Sequence, residues 1–260
     1  MFRTVRATRY VTPLREGGSL PAIVEADDYG LYVVKFRGAG QGPLALVAEL
    51  VAGEIGRALG LNVPELVLVD VDSMLGRNEP DPEIGDLLRA SVGINVGLDY
   101  LPGSTMFDPA AGDIADAELA SRAVWFDAFV TNVDRTASNP NLLCWHKKLY
   151  LIDHGAALYF HHNWGNLNTA AESVFSPIKK HLLLRWAARL EDADAAARAI
   201  LDRSLIEGIL AGIPDDWLLP EPGVPDPATK RAGYVDYFVR RLSASSKFVQ
   251  EAIRARAELV

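Results

Sequence analysis

Residues 131–139 read Thr131-Asn132-Val133-Asp134-Arg135-Thr136-Ala137-Ser138-Asn139, a carboxylate set five positions before an amide, directly after an amphipathic helical pattern. Fourteen residues past Asn139, Leu151-Ile152-Asp153-His154-Gly155 ends a short apolar strand pattern in a second carboxylate, with glycine two positions on. This set of side chains suits phosphoryl transfer, in which a protein does little covalent work and acts by positioning groups and neutralising charge. Asp134 has the chemistry to accept or orient the proton of an attacking hydroxyl. The Asn139 amide oxygen and the Asp153 carboxylate are hard oxygen ligands for Mg²⁺. Taken singly, Asp and Asn in 134–141 are ordinary turn and cap residues. The pair joined to an acid at a strand end is what favours the catalytic reading.

On the amino-terminal side of this region the chain is strand-rich. Segments 22–25 and 30–36 carry β-branched and aromatic residues on either side of Asp27-Asp28, which predicts a hairpin. Lys35 closes its second strand, where a cation for the phosphates of a nucleotide belongs. Pro43 opens a helix predicted to run to Leu59, with Gly60 as its cap. An acid on that helix would hold Lys35 extended, and Glu49 and Glu54 are both candidates. On a helical wheel Glu54 falls within the stripe of Val47, Leu50, Val51 and Ala58 and Glu49 lies opposite, so geometry alone does not choose. Further strands are expected over 65–71 and 90–96, with 74–88, rich in Pro, Asp and Gly, as an exposed loop between them. Beyond the connector Gly97-Leu98-Asp99-Tyr100-Leu101-Pro102-Gly103 the periodicity is helical, over 118–131, 177–190, 193–211 and 230–257.

The 260 residues are 49% hydrophobic and 23% charged, enough for a full core. A formal charge of -8 argues against broad binding to nucleic acid or to anionic lipid, since both need a cationic face. Cys144 is the single cysteine, so no internal disulfide can form and a cytoplasmic setting is expected. The opening MFRTVRATRYVTPL has no continuous apolar stretch of the signal-peptide kind, and no segment approaches the length of a membrane span.

Other features have plain structural readings. Trp125, Phe126 and Phe129 sit at helical spacing and read as core. Lys179, Lys180, His181 and Arg185 read as a solvated basic face, and Arg135 as a partner for a local carboxylate. His154, His161 and His162 lack the partners and spacing of a zinc site, and 161–164 is expected to face the substrate. Gly17-Gly18-Ser19 carries neither a GxGxxG nor a Walker lysine motif.

Lys35, Glu49, Gly60-Leu61-Asn62-Val63-Pro64-Glu65, Asp134 with Asn139, and Asp153 together resemble, in order and spacing across 15–160, the motif series of the HipA-like kinases. These are bacterial toxin kinases distantly related to phosphoinositide kinases. The resemblance implies an α+β, two-lobed protein-kinase-like fold: a strand-rich N-lobe over 1–97, a hinge over 98–103 and a helical C-lobe over 104–260. It implies ATP and Mg²⁺ as cofactors, an ATP lysine at Lys35 with Glu49 as its helix partner, and Gly17, Gly18 and Ser19 in the loop covering the nucleotide. Leu98, Asp99, Tyr100 and Leu101 would meet adenine, Asp134 would be catalytic, and Asn139 and Asp153 would hold the metal. The implied function is Ser/Thr protein phosphorylation, with ATP, a protein acceptor and an antitoxin-like protein as partners. Phosphorylation of a small-molecule hydroxyl, and a nucleotide-binding pseudokinase, are the alternatives. The chain departs from the family in carrying Thr136 where a histidine is common and His154-Gly155 after the metal-site aspartate. It is also expected to lack the amino-terminal subdomain of the larger toxins.

Overall fold

A computed structural model describes residues 2–14, 20–40, 42–77 and 79–259. The chain is mixed α/β, with a strand-rich amino-terminal region and a helical carboxy-terminal region. Strands β1 (Thr4–Pro13), β2 (Ala22–Ala26), β3 (Leu31–Lys35), β4 (Leu66–Val71) and β5 (Gly93–Asp99) close into a barrel in the order β1-β2-β3-β5-β4. The β1–β4 pair is parallel and the others antiparallel. Alternation does the sorting: Val5, Val24, Val34, Val67 and Val69 point inward and are buried, as the period of two requires. Strand β5 begins and ends three residues later than its sequence pattern suggests, so Leu98 and Asp99 of the connector are its last two residues.

Helix α1 (Gly42–Ala58) links the two regions. Pro43 stands in its first turn, and Gly60, at φ +72°, lets the chain turn back so that the Leu61 amide bonds the Gly56 carbonyl. Leu46 through Gly53 are all buried, so α1 has no solvent face along that length. Gly56 admits Val63 and Phe126 close to the helix backbone, joining α1 to the central helix α3 (Ala117–Val130) of the second region. The largest core cluster is continuous from α1 through Trp125, Phe126 and Phe129 to the carboxy-terminal helices.

Four expectations fail here. The predicted loop over 74–88 contains helix α2 (Pro82–Ala90), started by Asp81, whose carboxylate accepts the Glu83 amide at 3.0 Å. The helix predicted over 177–190 is instead two 3-10 turns, Ser176–Lys180 and Leu184–Trp186. The pattern over 193–211 divides into α5 (Leu190–Ile200) and α6 (Arg203–Ala211), because Asp202 caps a new helix by accepting the Leu205 amide. That over 230–257 divides at Ala244 into α7 (Pro227–Ser243) and α8 (Ser245–Ala257). A short helix α4 (Leu167–Ala171) and a second sheet, β6 (Thr105–Met106), β7 (Leu142–Trp145) and β8 (Lys148–Leu151), complete the architecture. Among the described residues no helix is long and apolar enough to cross a membrane.

Candidate active site

A cleft of about 790 Å³ lies between barrel and helices, lined by Val33, Lys35 and Leu98–Leu101 on one side and by Asp134, Asn139, Leu143, Ile152 and Asp153 on the other. Lys35, the last residue of β3, reaches both walls: its Nζ donates to Glu49 Oε2 at 2.6 Å and to Asp153 Oδ1 at 2.6 Å. Glu49 is wholly buried, and burial alone would raise its pKa. The Lys35 charge and the contact with His154 outweigh burial and bring it down to about 2. Burial opposes the charge on Lys35 too, yet the two carboxylates keep its pKa above the ordinary lysine value. Of the two helix acids, Glu49 is therefore the one that meets Lys35. Glu54 pairs with Arg57 one turn along. The helical wheel could not choose between them because α1 is enclosed on nearly all sides, so lying off the apolar stripe does not mean facing water.

The opposite wall grows out of the end of α3. Thr131 ends that helix in the left-handed region, φ +55°, and sends the chain into the loop carrying Asp134. Asp127, on the last turn of α3, is completely buried and organises this loop. Its Oδ2 accepts from Arg135 Nε at 2.6 Å and faces His181 Nε2 at 2.8 Å, and its Oδ1 accepts from Asn132 Nδ2 at 3.0 Å. Burial would raise the Asp127 pKa, but the Arg135 charge and the His181 bond hold it well below the usual carboxylate range. Arg135 also donates to the carbonyls of Asn141 and Ile152, fastening the Asp134 loop to the strand-end segment before Asp153. Asp134 itself stays partly open to the cleft. Its Oδ2 accepts from Asn139 Nδ2 at 2.8 Å. Asp153 follows at φ +55°, a left-handed turn that aims its carboxylate back at Lys35.

The structure thus brings Lys35, Asp134, Asn139 and Asp153 to one cleft, with Glu49 buried behind Lys35 and Leu98, Asp99, Tyr100 and Leu101 along the rim. Gly17, Gly18 and Ser19 lie outside the described residues, although Leu14 and Pro21 on either side of them line the cleft. For a divalent cation the donor chemistry fits. Asn139 turns its nitrogen to Asp134, so that among the described residues its oxygen has no partner, while Lys35 binds Oδ1 of Asp153 and Oδ2 has none among them either. No cluster of three or more His, Cys, Asp or Glu side chains suited to a metal occurs among the described residues. His161 does not face a substrate: it is buried, bonded through Nδ1 to the Tyr234 hydroxyl at 2.9 Å, and burial depresses its pKa to about 3. Nor is His181 part of a solvated basic face, since it is the buried partner of Asp127. Sequence reading missed the Asp127–His181 brace because its members stand 54 positions apart with no shared motif. The only local hint was an acid placed among the core aromatics of α3.

The crystal structure of a Helicobacter pylori proinflammatory kinase, CtkA, has a similar fold, with a TM-score of 0.55 and 14% identity over 96% of this chain and 95% of that one. No curated protein sequence matches the chain. Fold and family match together make it a kinase-type phosphotransferase. The profile of the HipA-like kinases matches residues 8–250, and the chain belongs to that family.

Proposed function

We propose that the protein transfers the γ-phosphoryl group of ATP to a serine or threonine hydroxyl of a protein, on a two-lobed kinase scaffold whose barrel and helical part are the lobes. The observation that carries this reading is the bridge made by Lys35 to Glu49 and Asp153 at 2.6 Å each, across a cleft whose far wall holds Asp134 and Asn139. In this assignment Lys35 neutralises phosphate charge, and Glu49 keeps the lysine extended without competing for the ligand, because Glu49 is buried behind it. Adenine lies against Leu98–Leu101, between Val33 of the barrel and Leu143 and Ile152 of the helical part. Asp134 orients the acceptor hydroxyl and takes up its proton, held in place by the Asn139 amide. Asn139 and Asp153 are the side chains that would hold Mg²⁺, which when bound neutralises the phosphate oxygens.

The test is transfer of radiolabelled γ-phosphate. Wild type should label itself or a protein in lysate, and Asp134→Ala should bind ATP yet transfer none. Labelling confined to small metabolites would overturn the protein acceptor, and full transfer by Asp134→Ala would overturn the role of that carboxylate.

A further inference from the structure

Among the described residues, three buried polar side-chain atoms behind the cleft make no hydrogen bond of normal geometry: Glu49 Oε1, His154 Nδ1 and His154 Nε2. Two of them face each other, with Nδ1 of His154 lying 3.5 Å from Oε1 of Glu49. Both side chains are completely buried, out of reach of bulk solvent, so each is the other's nearest polar partner on that side. The other carboxylate oxygen, Oε2, is fully engaged, accepting from the His154 main-chain amide at 2.7 Å and from Lys35 at 2.6 Å. The His154 ring is enclosed and rests edge-on against Phe126 of α3 with ring centroids 5.6 Å apart.

We propose that His154 is the positioning residue for the Glu49–Lys35 pair: its main-chain N–H and its ring N–H hold the two oxygens of one buried carboxylate, fixing the rotamer from which Glu49 extends Lys35 into the cleft. The inference rests on the kinase reading of the cleft and adds to it a reason for His154 at this place in the chain. Residue 154 directly follows Asp153, so the same turn that aims Asp153 at Lys35 also delivers the grip on Glu49. Helix α1 and the end of β8 are thereby locked in register, and the three charged groups move as a unit. A purely apolar ring at this position would fill the volume beside Phe126 but leave Glu49 Oε1 without a donor, so the carboxylate would be held through Oε2 alone and Lys35 would be less firmly placed.

The experiment compares His154→Phe, which keeps a ring and loses the donor, with His154→Asn, whose side-chain N–H stands close to the place of the ring Nδ1–H. Steady-state kinetics at one fixed pH should show KM for ATP raised about tenfold in His154→Phe, the size expected for one lost hydrogen bond to a charged group. KM for the protein acceptor should stay the same, and His154→Asn should recover to within about threefold of wild type. A merely structural role would reduce the fraction of active protein, lowering kcat and leaving KM for ATP alone. A KM for ATP in His154→Phe equal to wild type overturns the proposal, as does a His154→Asn no better than His154→Phe. Should His154→Phe fail to fold, His154→Leu takes its place under the same criteria. Amide hydrogen exchange over Gly42–Ala58 needs no catalysis: it should quicken in His154→Phe and return toward wild type in His154→Asn, and unchanged exchange counts against the grip. Wild type that transfers no phosphate would sink the kinase reading while leaving the exchange result to judge this one.

Discussion

Arg135 is wholly buried with its charge balanced by Asp127, and the two are tied on to His181, Asn132 and two backbone carbonyls. Such a pair stabilises little relative to an apolar replacement of both members, but removing one member strands a charge in a medium that solvates it poorly. Asp127→Asn should therefore destabilise the protein by about 3–5 kcal/mol at pH 7, read as a lowered urea midpoint at unchanged slope. The pH dependence follows from the sign of the shift. The folded Asp127 pKa lies below its unfolded value of about 3.9, so its contribution is full above that pH and fades as the pH falls toward the folded value. The gap between wild type and Asp127→Asn should be constant from pH 7 down to about 5 and narrow below about 4. A gap that widens in acid would contradict the ion pair. The carboxylates and amide of the cleft were legible one residue at a time, because Asp134, Asn139 and Asp153 share a local spacing. The brace behind them was not, since burial of a charge is a property of the packed chain.

Helix α3 ends against a second buried guanidinium. Arg241 of α7 donates to the carbonyls of Ala128 and Phe129 at the end of α3, to those of Ala170 and Ala171 at the end of α4, and to that of Ser173 just beyond it. The last carbonyls of a helix have no intrahelical partner, and here one side chain supplies donors to two helix ends at once. Arg241→Met keeps much of the volume and removes every donor, so it should destabilise by at least about 3 kcal/mol, from unsatisfied acceptors at roughly 1–3 kcal/mol each. Loss of secondary structure in urea reads the effect, and a change under 1 kcal/mol would show that the carbonyls find other partners. Local chemistry made several elements legible. Asp27-Asp28 marked the hairpin between β2 and β3, and Pro43 with Gly60 bracketed α1. Helix α2 carried its own start signal in Asp81-Pro82, hidden in a segment whose Pro, Asp and Gly content resembles a loop. The 3-10 turns over 176–186 were not legible, because tertiary contacts override the helical period there. His181 is held by Asp127, and the Leu182 amide bonds the Arg135 carbonyl, so the chain cannot wind on.

Across the described residues, barrel and helices meet at the cleft through Lys35, which touches Glu49 of α1 and Asp153 beyond β8 together. A ligand lying between them must therefore bind the assembled chain far better than the unfolded one, which turns occupancy into stability by mass action. At a hundredfold excess over its dissociation constant a ligand adds about 2.7 kcal/mol. At about 2–4 °C per kcal/mol for a chain of this size, ATP with Mg²⁺ should raise the melting temperature by roughly 5–10 °C. Asp134→Ala should show the same shift, since the proposed function assigns that carboxylate to the acceptor and not to the nucleotide. In the proposed assignment Asp153→Ala should lose the part that depends on magnesium, because it removes the carboxylate assigned to the metal and one of the two anions that hold Lys35. Melting curves of the three proteins with ATP, with Mg²⁺ and with both decide the matter: an undiminished magnesium-dependent shift in Asp153→Ala would place the cation elsewhere, and no shift in wild type would remove the nucleotide from the cleft.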